Sequence, residues 1–374
     1  MKRIGLVGIS GFGAVHFDEI LALHGEGRLK FDSAVVINAE EEREKCEILK
    51  KEGVEIFSSF ESFLKEREGK IDLCYIATGI DIHSEMTLSA ISAGMNVLVE
   101  KPLAATIQDA RAMVEISSKK NKFAAVGFQM MYSRSTRTLK EKIISGEIGR
   151  LKSVRFSVCA PRDKCYYTRN NWAGKLRAGG KWILDSPFNN AVSHHFEIML
   201  FLCGEDFAGG AEIASIEAEL YRANPIESPD TASIRAYTKS GVEILFITTH
   251  ACENDYDAVI EITGEKGTIK SDSKEIIVRA KEEVRIAVES DKIFRKQMHD
   301  ALLRRLEDPS EFICDANLCV PHTLCVNGAH ESSDVIALPR DFIAKVEKNG
   351  SELSCIKGIE EIVSEAFAKG KLFS

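Results

Sequence analysis

Residues 71–103, IDLCYIATGIDIHSEMTLSAISAGMNVLVEKPL, decide the fold of this chain. Two short apolar runs, LCYIA and NVLVE, flank a segment whose apolar residues recur at helical spacing. A strand, a helix and a second strand within about 33 residues form a βαβ unit, whose strands lie parallel. The second strand runs directly into Glu100-Lys101-Pro102. Because open α/β sheets bind ligands at the carboxyl ends of their strands, we expect a cofactor and a substrate to meet at Lys101.

The composition indicates a globular protein of two domains that binds neither nucleic acid nor a membrane. At 374 residues the chain is too long for one ordinary core. Its net charge of −8 provides no electrostatic footprint for nucleic acid or an anionic bilayer. No apolar run approaches the roughly 20 residues of a membrane helix. The 10 cysteines are scattered without paired spacing, which predicts reduced thiols in a cytoplasmic protein.

A glycine-rich turn follows the first apolar run, RIGLVGI, and precedes a helical segment. Strand, glycine turn and helix are the setting of the G-x-G-x-x-G dinucleotide fingerprint. Gly8 and Gly13 occupy its first and third positions, while Ser10 replaces the second glycine. A tight turn without a ligand is the alternative. We predict that cofactor phosphates bind at Gly8, Ser10, Gly11, Phe12 and Gly13.

The strand predicted over residues 33–38 ends at Asn38, where this fold places the residue that binds the ribose hydroxyls. Asparagine can form that hydrogen bond. The acidic residues 40–42 that follow disfavour a 2′-phosphate, whereas Arg43 favours one. The glutamates also suit the solvated first turn of a helix. We predict NAD as the cofactor, with NADP as the alternative.

The order of the predicted elements gives an α/β fold class with two domains. Strands and helices alternate up to residues 123–127, which predicts a doubly wound Rossmann sheet over residues 1–128. Short strands of period two then predict an α+β domain with a largely antiparallel sheet over residues 129–374. A polar loop at 162–181, one helix at about 189–203, and helices at 296–306 and 317–338 complete this prediction.

The predicted helix at 189–203 carries polar side chains on a mostly apolar segment. Asp185 or Ser186 is expected to cap it, and Asn190 and His194 are four residues apart and would share a face. A core histidine with a satisfied hydrogen bond is the alternative for His194. The preceding polar loop contains five candidates for binding substrate hydroxyls: Tyr166, Arg169, Asn170, Asn171 and Trp172. The alternative for each is a position in an exposed loop without a ligand.

Several of these pieces together resemble the Gfo/Idh/MocA oxidoreductase family. They are Gly8…Gly13…His16, Ile76-Ala77-Thr78…His83, the run VLVEKPL, Gly127-Phe128-Gln129, Gly146-Glu147-Ile148-Gly149 and the terminal GIEEIVSEAFAKGKLFS. The resemblance covers nearly the whole chain. It implies hydride transfer between nicotinamide C4 and a carbinol carbon of a sugar, a polyol or a related compound. It also implies cofactor contacts from Ala77, Thr78, His83, Glu100, Lys101 and Gln129.

The family's second motif has the form D-x-G-x-H-x-x-D ahead of Leu-x-Gly. Its last half matches His194-His195-Phe196-Glu197 with Leu202-Cys203-Gly204, so the resemblance implies that His194 is the catalytic base. Lys101 would hold the substrate oxygen. Asp185 lies nine residues before His194 instead of four, which brings Asn190 forward as a replacement. The predicted catalytic residues are therefore Lys101, His194, Asn190 and Asp185. The predicted substrate site consists of Lys101, Tyr166, Arg169, Asn170, Trp172, Asn190 and His194.

The remaining predictions concern metal, assembly and rival functions. Cys314, Cys319, His322 and Cys325 lack the C-x₂₋₄-C pairs of structural zinc, so we predict no metal. The open face of the antiparallel sheet predicts a homodimer or homotetramer. One rival is an NAD-dependent glycoside hydrolase of the same fold. Another is a non-catalytic dinucleotide- and sugar-binding regulator, which would have no need of a proton acceptor.

Overall fold

The structure of the protein, a computed structural model, describes residues 1–348 and 350–374. The chain divides into two compact units. The first unit consists of Met1–Phe128 and Arg295–Val320, and the second consists of Gln129–Phe294 and Pro321–Ser374. The two domains predicted from the sequence, residues 1–128 and 129–374, place Arg295–Val320 in the second domain. In the structure this segment belongs to the first unit.

The first unit is built on a six-stranded parallel sheet, which confirms the predicted Rossmann fold. Its strands are β1 (Arg3–Val7), β2 (Lys30–Val35), β3 (Glu55–Phe57), β4 (Leu73–Ile76), β5 (Asn96–Val99) and β6 (Ala124–Val126). The strand order is β3-β2-β1-β4-β5-β6. The direction of winding therefore reverses between β1 and β4, and this switch point is where doubly wound sheets bind their ligands.

Five helices connect these strands: α1 (Gly13–Gly25), α2 (Arg43–Lys51), α3 (Phe60–Arg67), α4 (His83–Ser92) and α5 (Ile107–Lys120). Thr106 caps α5 as a side-chain acceptor, because its Oγ1 lies 3.2 Å from Asp109 N. The prediction for β2 was wrong at its end. The strand stops at Val35, so Asn38 lies three residues beyond it.

The second unit contains a nine-stranded mixed sheet of order β16-β15-β14-β13-β7-β12-β11-β10-β17, and two two-stranded hairpins. The strands are β7 (Leu151–Cys159), β8 (Arg177–Ala178), β9 (Lys181–Trp182), β10 (Ile213–Arg222), β11 (Thr231–Thr238), β12 (Glu243–Thr249), β13 (Tyr256–Gly264), β14 (Thr268–Ser271), β15 (Glu275–Arg279), β16 (Glu283–Ala287), β17 (Val335–Ala337), β18 (Ile343–Lys348) and β19 (Ser351–Ile356). Its pairs are antiparallel except β7–β12 and β10–β17, which confirms a largely antiparallel sheet.

The other helices are α6 (Arg134–Ile144), α7 (Lys164–Thr168), α8 (Ser193–Leu202), α9 (Asp291–Arg305), α10 (Ala316–Ser332) and α11 (Ile359–Lys369). The unit boundaries fall inside α9 and α10. The helix predicted over 317–338 ends early, because Val335–Ala337 forms β17 and pairs with β10 instead. Within the described ranges, none of the helices has both the length and the apolar composition needed to cross a bilayer.

Alternate residues of β12 face two different helices. Phe246 stacks on Phe156 at 4.7 Å, and its ring lies tilted at 4.7 Å from that of Phe196 in α8. Leu245 and Ile247 pack instead into a core with α11. The period of two thus places one helix on each side of β12. The sheet is therefore covered on both faces at its centre, rather than open on one face as the sequence had predicted.

A buried lysine connects α6 to the end of α8. Lys140 is 0% exposed, and its Nζ donates to Phe201 O at 2.6 Å and to Gly204 O at 2.5 Å. These carbonyls belong to the carboxyl-terminal end of α8, where a cation is favoured by the helix dipole. Burial nevertheless disfavours the charged form and lowers the pKa of Lys140 to about 8.

We expect Lys140→Met to change the pH dependence of stability. The unfolded chain keeps a lysine pKa near ~10.4, so the folded wild-type protein loses its proton first as pH rises. Wild-type stability relative to the variant should therefore increase between pH 8 and pH 10.5, by about 3 kcal/mol at most. Urea unfolding of both proteins at several pH values measures the difference. A difference that stays constant over this range would contradict the lowered pKa.

Candidate active site

The turn between β1 and α1 has no room for side chains at two of its glycines. A Cβ at Gly8 would lie 2.5 Å from Ala77 O, and Gly8 has a φ of +85°. A Cβ at Gly13 would lie 2.4 Å from Gly8 O. The turn therefore packs its main chain directly against the end of β4, at the switch point of the sheet.

The same turn offers a site that fits a pyrophosphate. A Cβ at Gly11 would meet nothing within 4 Å, so the turn is open on that side. Within the described part of the chain, no acceptor is bonded to the N–H groups of Gly11 and Phe12. The amino-terminal end of α1, with its positive dipole, begins at Gly13. These groups suit the phosphates of the dinucleotide predicted from the sequence.

Acidic side chains surround the predicted ribose position. Asn38 Nδ2 donates to Ser10 Oγ at 3.1 Å and to Glu41 Oε2 at 3.0 Å. Hydrogen bonds from Lys45 and Ser10 lower the pKa of Glu42, which keeps this carboxylate charged. Lys45 Nζ lies 2.5 Å from Glu42 Oε2, so it is already paired. Carboxylates at Glu41 and Glu42 would repel a 2′-phosphate.

Lys101 follows a buried acid that is held by three elements of the first unit. Glu100 is 6% exposed, and its Oε1 accepts from His16 Nε2 of α1 at 2.7 Å. Its Oε2 accepts from Lys101 N at 3.2 Å. A Cβ at Gly127 would lie 2.6 Å from Glu100 Oε1, so the absent side chain makes space for the carboxylate. Glu100 therefore anchors the main chain of the half-buried Lys101, and its contact with a cofactor stays a prediction.

His83 also positions the main chain, and its contact with a cofactor stays a prediction. Its Nδ1 donates to Pro102 O at 2.8 Å, and its Nε2 lies 3.2 Å from Thr78 O. Burial lowers the pKa of His83, so the neutral ring, with Nδ1 protonated, is favoured. The ring joins the segments that follow β4 and β5. Thr78 remains a candidate, because its buried Oγ1 has no hydrogen-bond partner among the described residues.

A buried cluster beside Glu100 was missed by the sequence reasoning. Tyr75 OH lies 2.9 Å from His299 Nδ1, and the two rings stack at 5.4 Å. The His299 ring also lies 5.7 Å from His16. Burial lowers the pKa of His299 to about 3. No local pattern marks His299, because it reaches this cluster only through the return of residues 295–320 to the first unit.

In the second unit Asp185 and Asn190 are hydrogen-bonded to each other. Asp185 Oδ1 accepts from Asn190 Nδ2 at 2.7 Å, and Oδ2 accepts from Gly174 N at 2.6 Å. The lengthened spacing of the motif thus forms a turn that brings Asn190 to the buried Asp185. Gln129, in contrast, is buried in a separate 3₁₀ turn, Gln129–Tyr132.

The predicted start of α8 was wrong. The helix begins at Ser193, and its cap position, Val192, provides no side-chain hydrogen bond. Ser186 Oγ accepts from Asn189 N at 3.2 Å and so caps an earlier turn. Asn190 precedes the helix and does not share a helical face with His194. His194 lies half-buried in the first turn of α8.

The predicted substrate loop contains α7 and a cluster around one tyrosine. The guanidinium of Arg169 lies 3.7 Å from the centre of the Tyr166 ring and 5.3 Å from that of Trp172. Burial and the Asp185 carboxylate raise the pKa of Tyr166. Asn170 stabilises the turn that follows it, since its Oδ1 accepts from Trp172 N at 3.1 Å and from Ala173 N at 2.7 Å. Asn171 is exposed.

The cysteine-rich segment at 314–325 contributes to both units. Cys314 Sγ and Cys319 Sγ lie 3.4 Å apart in the first unit. His322, in the second unit, lies with its Nε2 3.0 Å from Phe188 O. That nitrogen therefore donates to a carbonyl. The absence of a bound metal stays a prediction.

Comparisons with known proteins agree with this arrangement. A family model described as an oxidoreductase family with an NAD-binding Rossmann fold matches residues 2–128, and the GFO/IDH/MocA C-terminal domain matches residues 136–270. Myo-inositol 2-dehydrogenase of Thermotoga maritima is 26% identical over 279 residues, which cover 72% of this chain and 75% of that protein. Inositol 2-dehydrogenase of Burkholderia cenocepacia is 28% identical, over 50% of this chain and 51% of the relative.

Solved structures share the fold at low identity. The WlbA dehydrogenase of Bordetella pertussis, in complex with NADH and UDP-GlcNAcA, has a TM-score of 0.72 and 23% identity, covering 88% of this chain and 96% of that one. Levoglucosan dehydrogenase, in complex with NADH and levoglucosan, has a TM-score of 0.72 and 18% identity, with the same coverage of 88% and 96%.

We expect Gly13→Ala to impair NADH binding. Its Cβ would meet Gly8 O at 2.4 Å, so the turn must move, at a cost of about 1–3 kcal/mol in stability and a loss of at least tenfold in affinity. Gly25→Ala, at the other end of α1, is the matched control, because its Cβ would meet nothing within 4 Å. NADH fluorescence titration and thermal unfolding of both variants provide the measurement. Equal affinities would contradict a phosphate site at this turn.

Proposed function

Because the chain belongs to the Gfo/Idh/MocA oxidoreductase family, we propose that it is an NAD-dependent dehydrogenase acting on the CH–OH group of a sugar, a polyol or a related compound. The dehydrogenases of inositol among its relatives and the levoglucosan dehydrogenase among its structural neighbours support this substrate class. The match spans about half the length of most of the curated relatives, so the substrate is part of the proposal.

One observation carries the proposal. The glycine turn of β1 meets the end of β4 at the switch point, and Lys101 is fixed at the end of β5, the next strand of the sheet. The Glu100–His16 hydrogen bond ties α1, which begins at that turn, to the segment of Lys101. A dinucleotide turn and a lysine held at adjacent strand ends would place a bound nicotinamide cofactor close to a cationic side chain, which supports hydride transfer at this site.

The protein must manage one proton. NAD, when bound, accepts a hydride at nicotinamide C4, and the substrate hydroxyl must lose its proton as this occurs. In our proposal the Lys101 ammonium holds the hydroxyl oxygen and stabilises its developing negative charge. The imidazole of His194 takes the proton, because its ordinary pKa lies near neutrality. Asp185 and Asn190, bonded at 2.7 Å, belong to the same proposed site and bind or orient the substrate.

Two further parts of the proposal concern assembly and location. Strand β10 exposes residues at several positions, so self-association through the outer sheet, as a homodimer or homotetramer, stays part of the proposal. Light scattering that shows only a monomer would remove it. A cytoplasmic location rests on the 10 free cysteines.

We expect NADH to bind at least tenfold more tightly than NADPH. The carboxylates of Glu41 and Glu42 would lie beside a 2′-phosphate, and like charges in contact are unfavourable. Fluorescence titration with both dinucleotides tests this preference. Glu41→Gln combined with Glu42→Gln should narrow the difference. Equal affinities in the wild type would contradict the assignment of NAD, and binding of neither dinucleotide would end the proposal as a whole.

We expect Lys101→Met and His194→Ala each to lower turnover by about 10²–10⁴-fold while NADH affinity is retained. His195→Gln is the matched control, because His195 stacks on Phe156 at 4.9 Å in the core of the second unit. The assay follows nicotinamide absorbance with a panel of sugars and polyols. Full turnover in Lys101→Met or His194→Ala would show that the catalytic assignment is wrong. Release of sugar from an aryl glycoside without net NADH would favour the hydrolase.

A further inference from the structure

The polar loop carries a positive charge that the rest of the chain does not share. Residues 162–181 contain one acid, Asp163, and the basic side chains of Arg162, Lys164, Arg169, Lys175, Arg177 and Lys181. The whole chain has a net charge of −8. A concentration of one sign of charge beside a substrate site raises the local concentration of ligands of the opposite sign.

Two of these cations converge on a single aromatic ring. The guanidinium of Arg169 lies 3.7 Å from the centre of the Tyr166 ring, and that of Arg162 lies 5.2 Å from it. Arg162 also donates a hydrogen bond to the Tyr166 side chain. An anion bound beside this ring would be attracted by both guanidiniums at once.

Across residues 1–348 and 350–374, no carboxylate forms an ion pair with Arg162 or Arg169. Arg162 donates to Pro161 O and to the Tyr166 side chain, and Arg169 donates to Tyr166 O. Asp163 is used by its own helix, since its Oδ1 accepts from Tyr166 N at 2.9 Å. Most of the donors of two guanidiniums are therefore available to a ligand.

The cluster adjoins the proposed substrate residues within the second unit. Asp185 acts on the Tyr166 phenol and raises its pKa, and Asp185 itself is bonded to Asn190. His250 lies 6.0 Å from the Tyr166 ring, centre to centre. Burial and the two arginines lower the pKa of His250 to about 3, so this histidine is neutral and leaves the charge of the arginines unchanged.

We infer that the substrate is an anion, a sugar or polyol bearing a carboxylate or a phosphate, and that Arg162 and Arg169 bind this group. Guanidinium groups suit both anions, because their planar donors match two oxygens at once. Tyr166 holds the two arginines in place. This inference rests on the proposed function, since it names the substrate class of the same site.

A second location for an anion exists on the other side of α7. Tyr167 and Thr168 line a cavity of about 490 Å³ whose basic residues are Lys164, Lys175, Arg222 and Lys345. Lys345 is already paired with Glu352 at 2.9 Å, and Arg222 donates to Ile226 O. Two of the basic groups of the cavity therefore already have partners in the protein, unlike the arginine pair, which has no carboxylate partner within the part of the chain that the structure describes. Substitutions in the cavity provide a test of where an anion binds.

The experiment compares matched ligands on the NADH complex of the full chain. Calorimetry measures the dissociation constants of D-glucose, D-glucuronate and D-glucose 6-phosphate, with D-galactose and D-galacturonate as a second pair. We expect at least one anion to bind tenfold or more tightly than its neutral counterpart. Preference for the uronates over the phosphate, or the reverse, distinguishes the carboxylate from the phosphate.

Substitutions then locate the binding group. Arg162→Gln and Arg169→Gln should each weaken binding of the anion about 10- to 100-fold, a much larger loss than for the neutral sugar, and leave NADH binding unaffected. Arg169→Lys keeps the charge and should recover part of the loss. Arg177→Gln is the matched control, because Arg177 lies 3.6 Å from the centre of the Trp182 ring and is exposed.

Three outcomes would overturn the inference while leaving the proposed function intact. The first is NADH binding with no preference for any anion over its neutral counterpart. The second is an anion preference that survives in the double variant Arg162→Gln, Arg169→Gln. The third is loss of anion binding only in Lys164→Gln, Lys175→Gln, which would move the site to the cavity. Failure of NADH itself to bind would instead end the proposed function.

Discussion

A buried carboxylate organises the first unit. Glu100 has lost its contact with water, and an unpaired charge in that position would be costly. His16 of α1 and the main-chain N–H of Lys101 donate hydrogen bonds to it, and the missing side chain at Gly127 leaves room for it. These three partners come from the helix after the glycine turn, from the end of β5 and from the end of β6. The requirement to satisfy one acid thus fixes the parts that a dinucleotide and a reactive lysine need.

The family motif therefore contains residues of different kinds. In Glu100-Lys101-Pro102 the acid and the Pro102 carbonyl are committed to the protein, through His16 and His83 respectively. Only the lysine extends from a fixed main chain. The same division holds in the second unit, where Asp185 is committed to Gly174 and Asn190. Residues that the sequence groups together thus include several whose polar atoms are bonded within the protein.

The sequence predicted those parts of the fold that depend on local patterns. The βαβ unit at 71–103 and the glycine turn both follow from residues close together in the chain. The errors arose where distant partners decide. Val335–Ala337 was predicted as helix but pairs with the distant β10, and Asp185, an expected cap of α8, instead accepts from Gly174 N. The stacking of His299 on Tyr75 joins residues 224 apart, and no window of sequence contains both.

The return of residues 295–320 to the first unit also bears on how the protein is made. Val126 N bonds to Cys314 O at 2.8 Å, and Ala125 pairs with Asp315, so β6 acquires its last neighbour from this late segment. Translation delivers residues in order, and domains ordinarily fold as they emerge, the amino-terminal one first. Here the first unit cannot be completed until residue 320 of 374 has left the ribosome. By then the nine-stranded sheet lacks only β17, so most strands of the second unit have been made while the first unit still waits for its final segment.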